Sequence, residues 1–164
     1  MVLRIAVLTV SDRSARGERQ DASGPAVVEL IKAQGWSVSR TGVLPDDLSI
    51  LRETITSWAE RGDSDIILTT GGTGFAPRDV TPEATRAVIE REASGLVEAM
   101  RAASGAKSPH AMLSRAVAGI RGHVLIINLP GSPKAAVENL SVVLPALEHA
   151  VKLIQERPDA EAGH

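Results

Sequence analysis

The chain contains no cysteine and very few aromatic residues. Among its 164 residues there are two Trp, one Phe and no Tyr. The absence of cysteine excludes disulfides, thiolate metal sites and a cysteine nucleophile. The scarcity of aromatic rings leaves no row of them on which single-stranded bases could stack.

The charge is close to balanced, and the sequence has no run of basic residues. Lys and Arg number 18 against 20 Asp and Glu, which gives a formal net charge of −2. A protein that binds duplex nucleic acid neutralises phosphates with a positive face. We therefore expect no nucleic-acid partner.

Long hydrophobic runs are lacking as well. The first ten residues, MVLRIAVLTV, are apolar over too short a stretch to span a bilayer, and they lack the small-residue cleavage site of a secretory signal. They predict a first β-strand instead. We expect a cytoplasmic protein that does not associate with a membrane.

Four short apolar runs, separated by helical patterns, predict an α/β fold. The runs lie at residues 3–10, 38–44, 65–70 and 124–129. The last two do not alternate between apolar and polar side chains, as expected of parallel strands covered on both faces. Residues 115–121 lead into a turn at Gly122 and are expected to pair with the last run as a short antiparallel strand.

The organisation along the chain indicates one domain. We expect it to cover residues 1–157, followed by a polar, flexible tail at 158–164. Pro145 interrupts the long apolar helical pattern that follows Pro133. Because proline removes a helical hydrogen bond, we expect it to kink that helix or to divide it in two.

A glycine-rich loop is the most informative local feature. Residues 69–74, TTGGTG, directly follow the predicted strand at 65–68. Glycines let the backbone approach a ligand closely and point successive N–H groups at an anion, and the threonines add hydroxyl donors. The loop lacks a Walker lysine and the dinucleotide-binding spacing. It predicts a phosphate site; the alternative is a flexible glycine turn.

A carboxylate follows this loop. Asp79 lies on a segment stiffened by Pro77 and Pro82, next to the predicted phosphate site. It would repel an anion unless a cation lay between them, and oxygen ligands beside phosphate oxygens are typical of Mg²⁺. The alternative is a carboxylate that only stabilises the turn. Arg78 either contacts the phosphate or faces solvent.

Further polar residues follow the other predicted strands. Asp46 and Asp47 come after the strand at 38–44; one of them is expected to cap the next helix, and the spacing does not decide which one is left for the site. Residues 9–13 and 128–133 follow two more strands. In a parallel sheet these ends meet at one edge, and the helix that starts at Ser132 points its N-terminal dipole there.

The histidines do not contribute to this edge. His110, His123, His149 and His164 lie outside the loops and lack the spacing of metal ligands, so we expect surface or structural roles for them. With neither a cysteine nor a Ser-His-Asp group, covalent nucleophilic catalysis is disfavoured. The chemistry that fits is phosphoryl or nucleotidyl transfer by positioning and charge neutralisation.

Taken together, the loops resemble a known family. The matching stretches are TVSDR at 9–13, DASGP at 21–25, LPDD at 44–47, TTGGTGFAPRDVTPEAT at 69–85, LSRA at 113–116 and INLPGSPKA at 127–135. The sequence is similar to the molybdenum cofactor biosynthesis family that includes molybdopterin adenylyltransferase, of the MogA type and the gephyrin G domain, and the related MoaB type.

The resemblance implies a fold and an activity. The expected fold is a three-layer α/β/α domain with a mostly parallel central sheet and a short antiparallel edge, assembled as a homotrimer. The expected activity is Mg²⁺-dependent adenylylation of molybdopterin by ATP, with release of pyrophosphate and hand-over to a molybdenum-insertion enzyme. The alternative is a MoaB-type paralogue or scaffold that binds molybdopterin without strong catalytic activity.

The resemblance also implies site residues. It favours Asp46 over Asp47, and it makes Asp46 and Asp79 the catalytic carboxylates and the Mg²⁺ ligands. Further positions are implied as contacts of the substrate or the nucleotide: Ser11, Asp12, Thr70, Gly71, Gly72, Thr73, Gly74, Arg78, Ser114, Asn128, Pro130, Gly131, Ser132 and Pro133.

Overall fold

A six-stranded sheet forms the centre of the protein, with helices packed on both faces. The computed structural model describes residues 1–160. The strands are β1 (Arg4–Val10), β2 (Ser37–Leu44), β3 (Ile66–Thr70), β4 (Arg91–Glu92), β5 (Ala118–Arg121) and β6 (Val124–Leu129). The helices are α1 (Asp12–Ala15), α2 (Ser23–Ala33), α3 (Leu48–Glu60), α4 (Thr81–Val88), α5 (Ser94–Gly105), a 3₁₀ helix (Pro109–Leu113) and α6 (Pro133–Ile154).

The sheet is mostly parallel and has a short antiparallel edge, as predicted. Its strand order is β2-β1-β3-β6-β5-β4. Strands β2, β1, β3 and β6 are parallel, whereas β5 is antiparallel to β6 and to β4. The turn between β5 and β6 uses Gly122 with φ +53°. The four parallel strands therefore end at the same edge.

Each face of the sheet carries its own hydrophobic cluster. Along β1, Ile5 and Val7 join the cluster that contains residues of α2, α5 and α6. Their neighbours Ala6 and Leu8 join the cluster that contains residues of α3 and α4. Because successive side chains of a strand point to opposite faces, a strand buried on both sides is apolar at most positions. Full burial of each large aliphatic side chain contributes about 1.5–3 kcal/mol.

Helix α6 departs from the expectation of two separate helices. It is one helix of 22 residues with Pro145 inside it. Pro145 and Ser141 both lie on the exposed face. Pro145 has no N–H to donate to the carbonyl of Ser141, four residues earlier. Because this carbonyl belongs to an exposed residue, water can bind it and the helix continues.

The tail expected at 158–164 is described only in part. Asp159 forms an ion pair with Lys152 at 2.7 Å, and Ala160 is 4% exposed. The remainder of that tail, 161–164, lies outside the described residues. Across residues 1–160, no helix is long and apolar enough to cross a bilayer.

Helix α3 begins at an aspartate cap. Asp47 has extended backbone angles, and its carboxylate accepts the N–H of Ile50 at 3.0 Å. An N-cap oxygen satisfies one of the helical N–H groups that have no partner in the first turn. The structure thus assigns the capping role to Asp47 and leaves its neighbour Asp46 available for another.

We expect Asp47→Ala to lower the free energy of unfolding by about 1 kcal/mol, because the cap is lost. Asp47→Asn is the matched control, since asparagine caps helices as well as aspartate does. Urea unfolding of the three proteins measures the difference. Equal stability of the alanine variant and the wild type would contradict the capping role.

Candidate active site

Two adjoining cavities lie at the edge where the parallel strands end. The first has a volume of about 370 Å³ and the second about 490 Å³. Both are lined by Gly72, Asp79 and Gly131, so they meet at these residues. Predicted site residues are distributed between them. The first also contains Ser11, Asp46, Thr70, Gly71, Ser132 and Pro133, and the second contains Thr73, Gly74, Ser114 and Pro130.

The glycine-rich loop is held in one conformation. Gly71 and Gly72 have φ values of +106° and +68°, a region that side chains with a Cβ rarely adopt. A Cβ on Gly71 would overlap the carbonyl of Val10, and one on Gly72 would overlap the hydroxyl of Thr81. That hydroxyl donates to the Gly71 carbonyl at 2.9 Å. The loop is therefore a packed turn, and the flexible-turn interpretation does not describe it.

Asp46 lies against this loop. Its Oδ1 is 2.8 Å from the position that a Cβ on Gly72 would take. Its Oδ2 accepts the N–H of Asp12 at 3.0 Å, and its own N–H donates to Asp12 Oδ1 at 3.0 Å. Burial raises the pKa of Asp46, and the negative charges of Asp12 and Asp79 act in the same direction, against the hydrogen bond from Asp12.

Asp79 combines a turn contact with a place in both cavities. Its Oδ2 accepts the N–H of Ala76 at 3.0 Å, and its own N–H donates to the Ala76 carbonyl at 2.9 Å. The carboxylate therefore stabilises the turn, which was one interpretation of its sequence context. It also lines the junction of the two cavities, where the other interpretation placed it.

Asp12 and Arg78 form an ion pair beside the cavities. The guanidinium donates from two nitrogens to the two carboxylate oxygens at 2.9 and 2.8 Å. This hydrogen-bonded contact lowers the pKa of Asp12. The Arg78 side chain is 65% exposed. Both residues were expected to contact a ligand; the structure shows them paired with each other, and neither lines either cavity.

The side chain of Asn128 is not at the cavity surface. It is 0% exposed, and its Nδ2 donates to the hydroxyls of Thr69 and Thr85, both at 2.9 Å. Its Oδ1 accepts the N–H of Val117 at 3.1 Å. This side chain lines neither cavity, and the ligand contact implied at position 128 stays a prediction. Asn128 connects β3, α4 and the segment before β5, and so fixes the elements that carry the site.

The sequence reasoning missed several residues of the first cavity. Asp21 accepts the hydroxyl of Thr9 at 2.8 Å and the N–H of Gly24 at 3.1 Å. A Cβ on Gly24 would overlap both partner side chains. The motif DASGP at 21–25 was the available signal, and its acid and glycine fit this close contact between β1 and the start of α2. Ser14, Arg19, Gln20, Ala22 and Ser23 complete this wall.

The second cavity has a wall that the sequence reasoning also missed. Asn139 is 7% exposed and donates to the Ser104 hydroxyl at 3.0 Å, and Arg101 donates to the Ser114 carbonyl at 3.3 Å. The available signal was a pair of polar residues spaced by about one helical turn, Arg101 and Ser104, together with Asn139 within the apolar pattern of α6. The wall further contains Lys107, Ser108, His110, Ala111, Leu113, Ala135 and Glu138.

One histidine departs from the expectation that these residues lie away from the site: His110 is exposed but lines the second cavity. A ring nitrogen of His123 lies 3.2 Å from the carbonyl of Ile154. His164 lies outside the described residues. Within 1–160 no group of three or more His, Cys, Asp or Glu side chains is arranged to hold a metal ion. Any metal at this edge would have to be held by fewer carboxylates and by oxygens from elsewhere.

Another cavity, of about 570 Å³, lies at the opposite end of the sheet. Its arginines are already paired, Arg4 with Asp65 and Arg121 with Glu60, both at 2.7 Å. Since its positive charges are neutralised and it has no glycine-rich loop, it offers no comparable anion site. The two adjoining cavities therefore form the candidate active site.

Comparison with known proteins identifies the family. Residues 6–149 match the model of a family described as probable molybdopterin binding domain. The chain belongs to this family. All residues that line the two cavities, from Thr9 to Asn139, lie within the match to the molybdopterin binding domain.

Individual relatives give the same result. The chain is 48% identical to gephyrin of Dictyostelium discoideum over 94% of its own length, but it spans only 23% of that longer protein. It is 42% identical to the molybdopterin adenylyltransferase of Escherichia coli K12, covering 88% of this chain and 75% of that one. The molybdopterin biosynthesis enzyme MoaB of Thermus thermophilus superposes with a TM-score of 0.90 at 48% identity, covering 96% of this chain and 99% of the other.

The raised pKa of Asp46 leads to a prediction about stability. A carboxyl whose pKa is higher in the folded than in the unfolded chain favours folding while it is protonated, and this contribution is lost as the pH rises through the folded pKa. Asparagine does not ionise. We therefore expect Asp46→Asn to melt at a higher temperature than the wild type at pH 7.

This difference should narrow as the pH falls toward the ordinary Asp value of about 4. Thermal unfolding across that pH range measures it, with Asp47→Asn as the control that should follow the wild type. If Asp46→Asn melted below the wild type at pH 7, the ionised carboxylate of Asp46 would not destabilise the folded protein, and the prediction would be wrong.

Proposed function

We propose that this protein transfers the adenylyl group of ATP to the terminal phosphate of molybdopterin and so acts as an enzyme of molybdenum cofactor biosynthesis. The observation that carries the proposal is the junction of two cavities at Gly72, Asp79 and Gly131. A transfer between two substrates needs two binding spaces that meet where the reacting groups lie. Cavities of 370 and 490 Å³ are within the usual range of small-molecule sites.

The backbone around the junction suits phosphate groups. Gly71 and Gly72 allow the chain to pass close to a ligand, and helix α6 begins beside them at Ser132 and Pro133. N–H groups at a helix start and in a glycine-rich turn bind anions. They would orient the reacting phosphates and offset part of their charge.

Asp46 and Asp79 fit Mg²⁺. The two carboxylates line one cavity, and the pKa of Asp46 is raised, mainly by burial and to a smaller extent by the negative charges of Asp12 and Asp79. A divalent cation would relieve this repulsion. Mg²⁺ in proteins is commonly held by one or two carboxylates together with substrate phosphates and water, so a larger cluster of protein ligands is not needed. When bound, the ion would neutralise negative charge on the phosphate oxygens.

The reaction needs no covalent intermediate with the protein. A phosphate oxygen of molybdopterin attacks the α-phosphorus of ATP, and the bond from that phosphorus to the β-phosphate oxygen breaks, so that pyrophosphate leaves. The protein's own residues hold the two phosphates in line and keep them in place. This agrees with a site built from glycines, hydroxyls and carboxylates and with the absence of cysteine.

Incubation of the protein with ATP, Mg²⁺ and molybdopterin tests the proposal. Formation of adenylylated molybdopterin and pyrophosphate is expected. The 48% identity to a MoaB protein keeps a second candidate, a paralogue that binds molybdopterin without transferring the adenylyl group. Binding of molybdopterin without release of pyrophosphate would support that candidate and contradict the first.

We expect Asp79→Asn to reduce turnover by about 10²-fold or more while leaving molybdopterin affinity largely unchanged, since the charge acts on the reacting phosphates. Asp46→Asn should also lose activity. Asp47→Asn is the matched control because it changes a neighbouring aspartate but preserves the cap of α3. Pyrophosphate release and calorimetric titration with molybdopterin give the two quantities. Comparable losses at positions 46 and 47 would refute the assignment of Asp46.

The family resemblance also implies a homotrimer, located in the cytoplasm, that hands its product to a molybdenum-insertion enzyme. Closed cyclic symmetry would satisfy all identical interfaces and leave one site in each chain. Light scattering at micromolar concentration should therefore give about three times the chain mass of 17.2 kDa. A stable, fully active monomer would contradict the assembly and leave the proposed reaction intact.

A further inference from the structure

One residue outside the expected site residues holds the segment that carries Asp79. Arg115 lies between the 3₁₀ helix and β5, next to Ser114 of the second cavity. Its backbone N–H donates to the carbonyl of Thr73 at 2.8 Å. Its side chain donates from Nε to the carbonyl of Gly74 at 2.8 Å and from Nη2 to the carbonyl of Asp79 at 2.7 Å.

The remaining contact of this guanidinium lies just beyond Asp79. Arg115 forms an ion pair with Glu83 in the first turn of α4. Its side chain is 32% exposed, so about two thirds of it is shielded by the groups it binds. All of these partners belong to residues 73–83, the stretch that leaves the glycine-rich loop and enters α4.

Two other sets of hydrogen bonds hold this stretch, and Arg115 adds a third. Thr81 fixes one end, because its hydroxyl and N–H donate to the carbonyls of Gly71 and Gly72. The hydrogen bonds between Ala76 and Asp79 close the turn within the stretch. Arg115 joins its beginning, at Thr73 and Gly74, to the backbone of Asp79 itself.

We infer that Arg115 is a positioning residue for Asp79: by binding the carbonyls on either side of the 74–79 turn, it fixes where the carboxylate lies at the junction of the cavities. This inference rests on the proposed function for its catalytic consequence. The planar guanidinium has five N–H donors in a fixed fork, and this geometry lets one side chain hold two carbonyls and a carboxylate at once. A lysine ammonium has three donors on a flexible stem and does not impose that orientation.

The role differs from a general contribution to stability. A structural ion pair would lower the melting temperature and leave the chemical step unchanged at temperatures well below it. A positioning residue alters the rate of the chemical step and the dependence on Mg²⁺ even in a folded protein, because a small displacement of a reacting group is costly. The two roles therefore separate experimentally.

The test compares Arg115→Lys and Arg115→Ala with Glu83→Gln. The glutamine variant removes the charge of the ion pair but leaves the guanidinium bound to the two carbonyls, so it is the matched control. We expect both Arg115 variants to lose about 10- to 100-fold in kcat with little change in the KM for ATP, and to require more Mg²⁺ for half-maximal rate. Added guanidinium should partly restore Arg115→Ala. Glu83→Gln should stay near the wild type.

A measurement independent of turnover accompanies these assays. Phe75 is 68% exposed within the 74–79 turn, and chymotrypsin cuts after it only when the backbone opens locally. Cleavage should be faster in both Arg115 variants than in the wild type and in Glu83→Gln, at a temperature where thermal melts show all four proteins folded. If the wild type makes no adenylylated molybdopterin, the proposed function fails, and this measurement still decides whether Arg115 holds the turn.

Three results would overturn the inference. One is unchanged cleavage after Phe75 in both Arg115 variants. Another is a kcat in Arg115→Lys equal to that of an active wild type. The third is a loss in Glu83→Gln as large as in Arg115→Lys, which would assign the effect to the charge pair and not to the contacts with the carbonyls.

Discussion

The site depends on the close approach of three strand ends at two glycines. Gly71 and Gly72 have positive φ, and their missing side chains allow the end of β3 to contact the last residue of β1 and the first residue of α4. The N–H of Gly71 donates to the carbonyl of Leu129 at the end of β6. Any larger residue at these positions would push the strand ends apart. The cavities and the carboxylates take their places from this one contact.

Near this contact, the ionised carboxylate of Asp46 lowers the stability of the folded protein. Asp46 is partly buried, next to other carboxylates, and its pKa is raised. Arg78 forms its ion pair with Asp12, on the exposed side. Asp46 and Asp79 also accept backbone N–H groups that hold the neighbouring loops. In the proposed reaction a cation and phosphate groups would occupy the space beside these carboxylates, which would account for the uncompensated negative charge.

The mostly parallel direction of the strands could be predicted, because apolar runs separated by helical patterns are typical of parallel strands covered on both faces. The glycine-rich loop could be predicted for a different reason, since glycines adopt positive φ and leave room for a close approach of the backbone. The choice between Asp46 and Asp47 could not come from spacing. Both are adjacent acids before a helix, and only the backbone angles at Asp47 make it the cap.

Three further residues show where sequence patterns are insufficient. Asn128 follows a buried strand like the other candidates, but its side chain turns inward and binds two threonine hydroxyls. Arg115 lies far along the chain from the loop it binds, so no local pattern indicates its partners. The continuity of α6 through Pro145 depended on the exposure of one carbonyl. In the first two cases a residue distant in sequence decided the outcome, and in the third the exposure of one helix face did.

The two cavities draw their walls from Thr9 at one end of the chain to Asn139 near the other. Contacts between segments so far apart carry a loop-closure entropy that the local contacts of a helix do not. Helices α2 and α3 can therefore form in a chain whose ligand-binding edge does not yet exist. Helical content alone would not report whether a refolded chain binds its ligand.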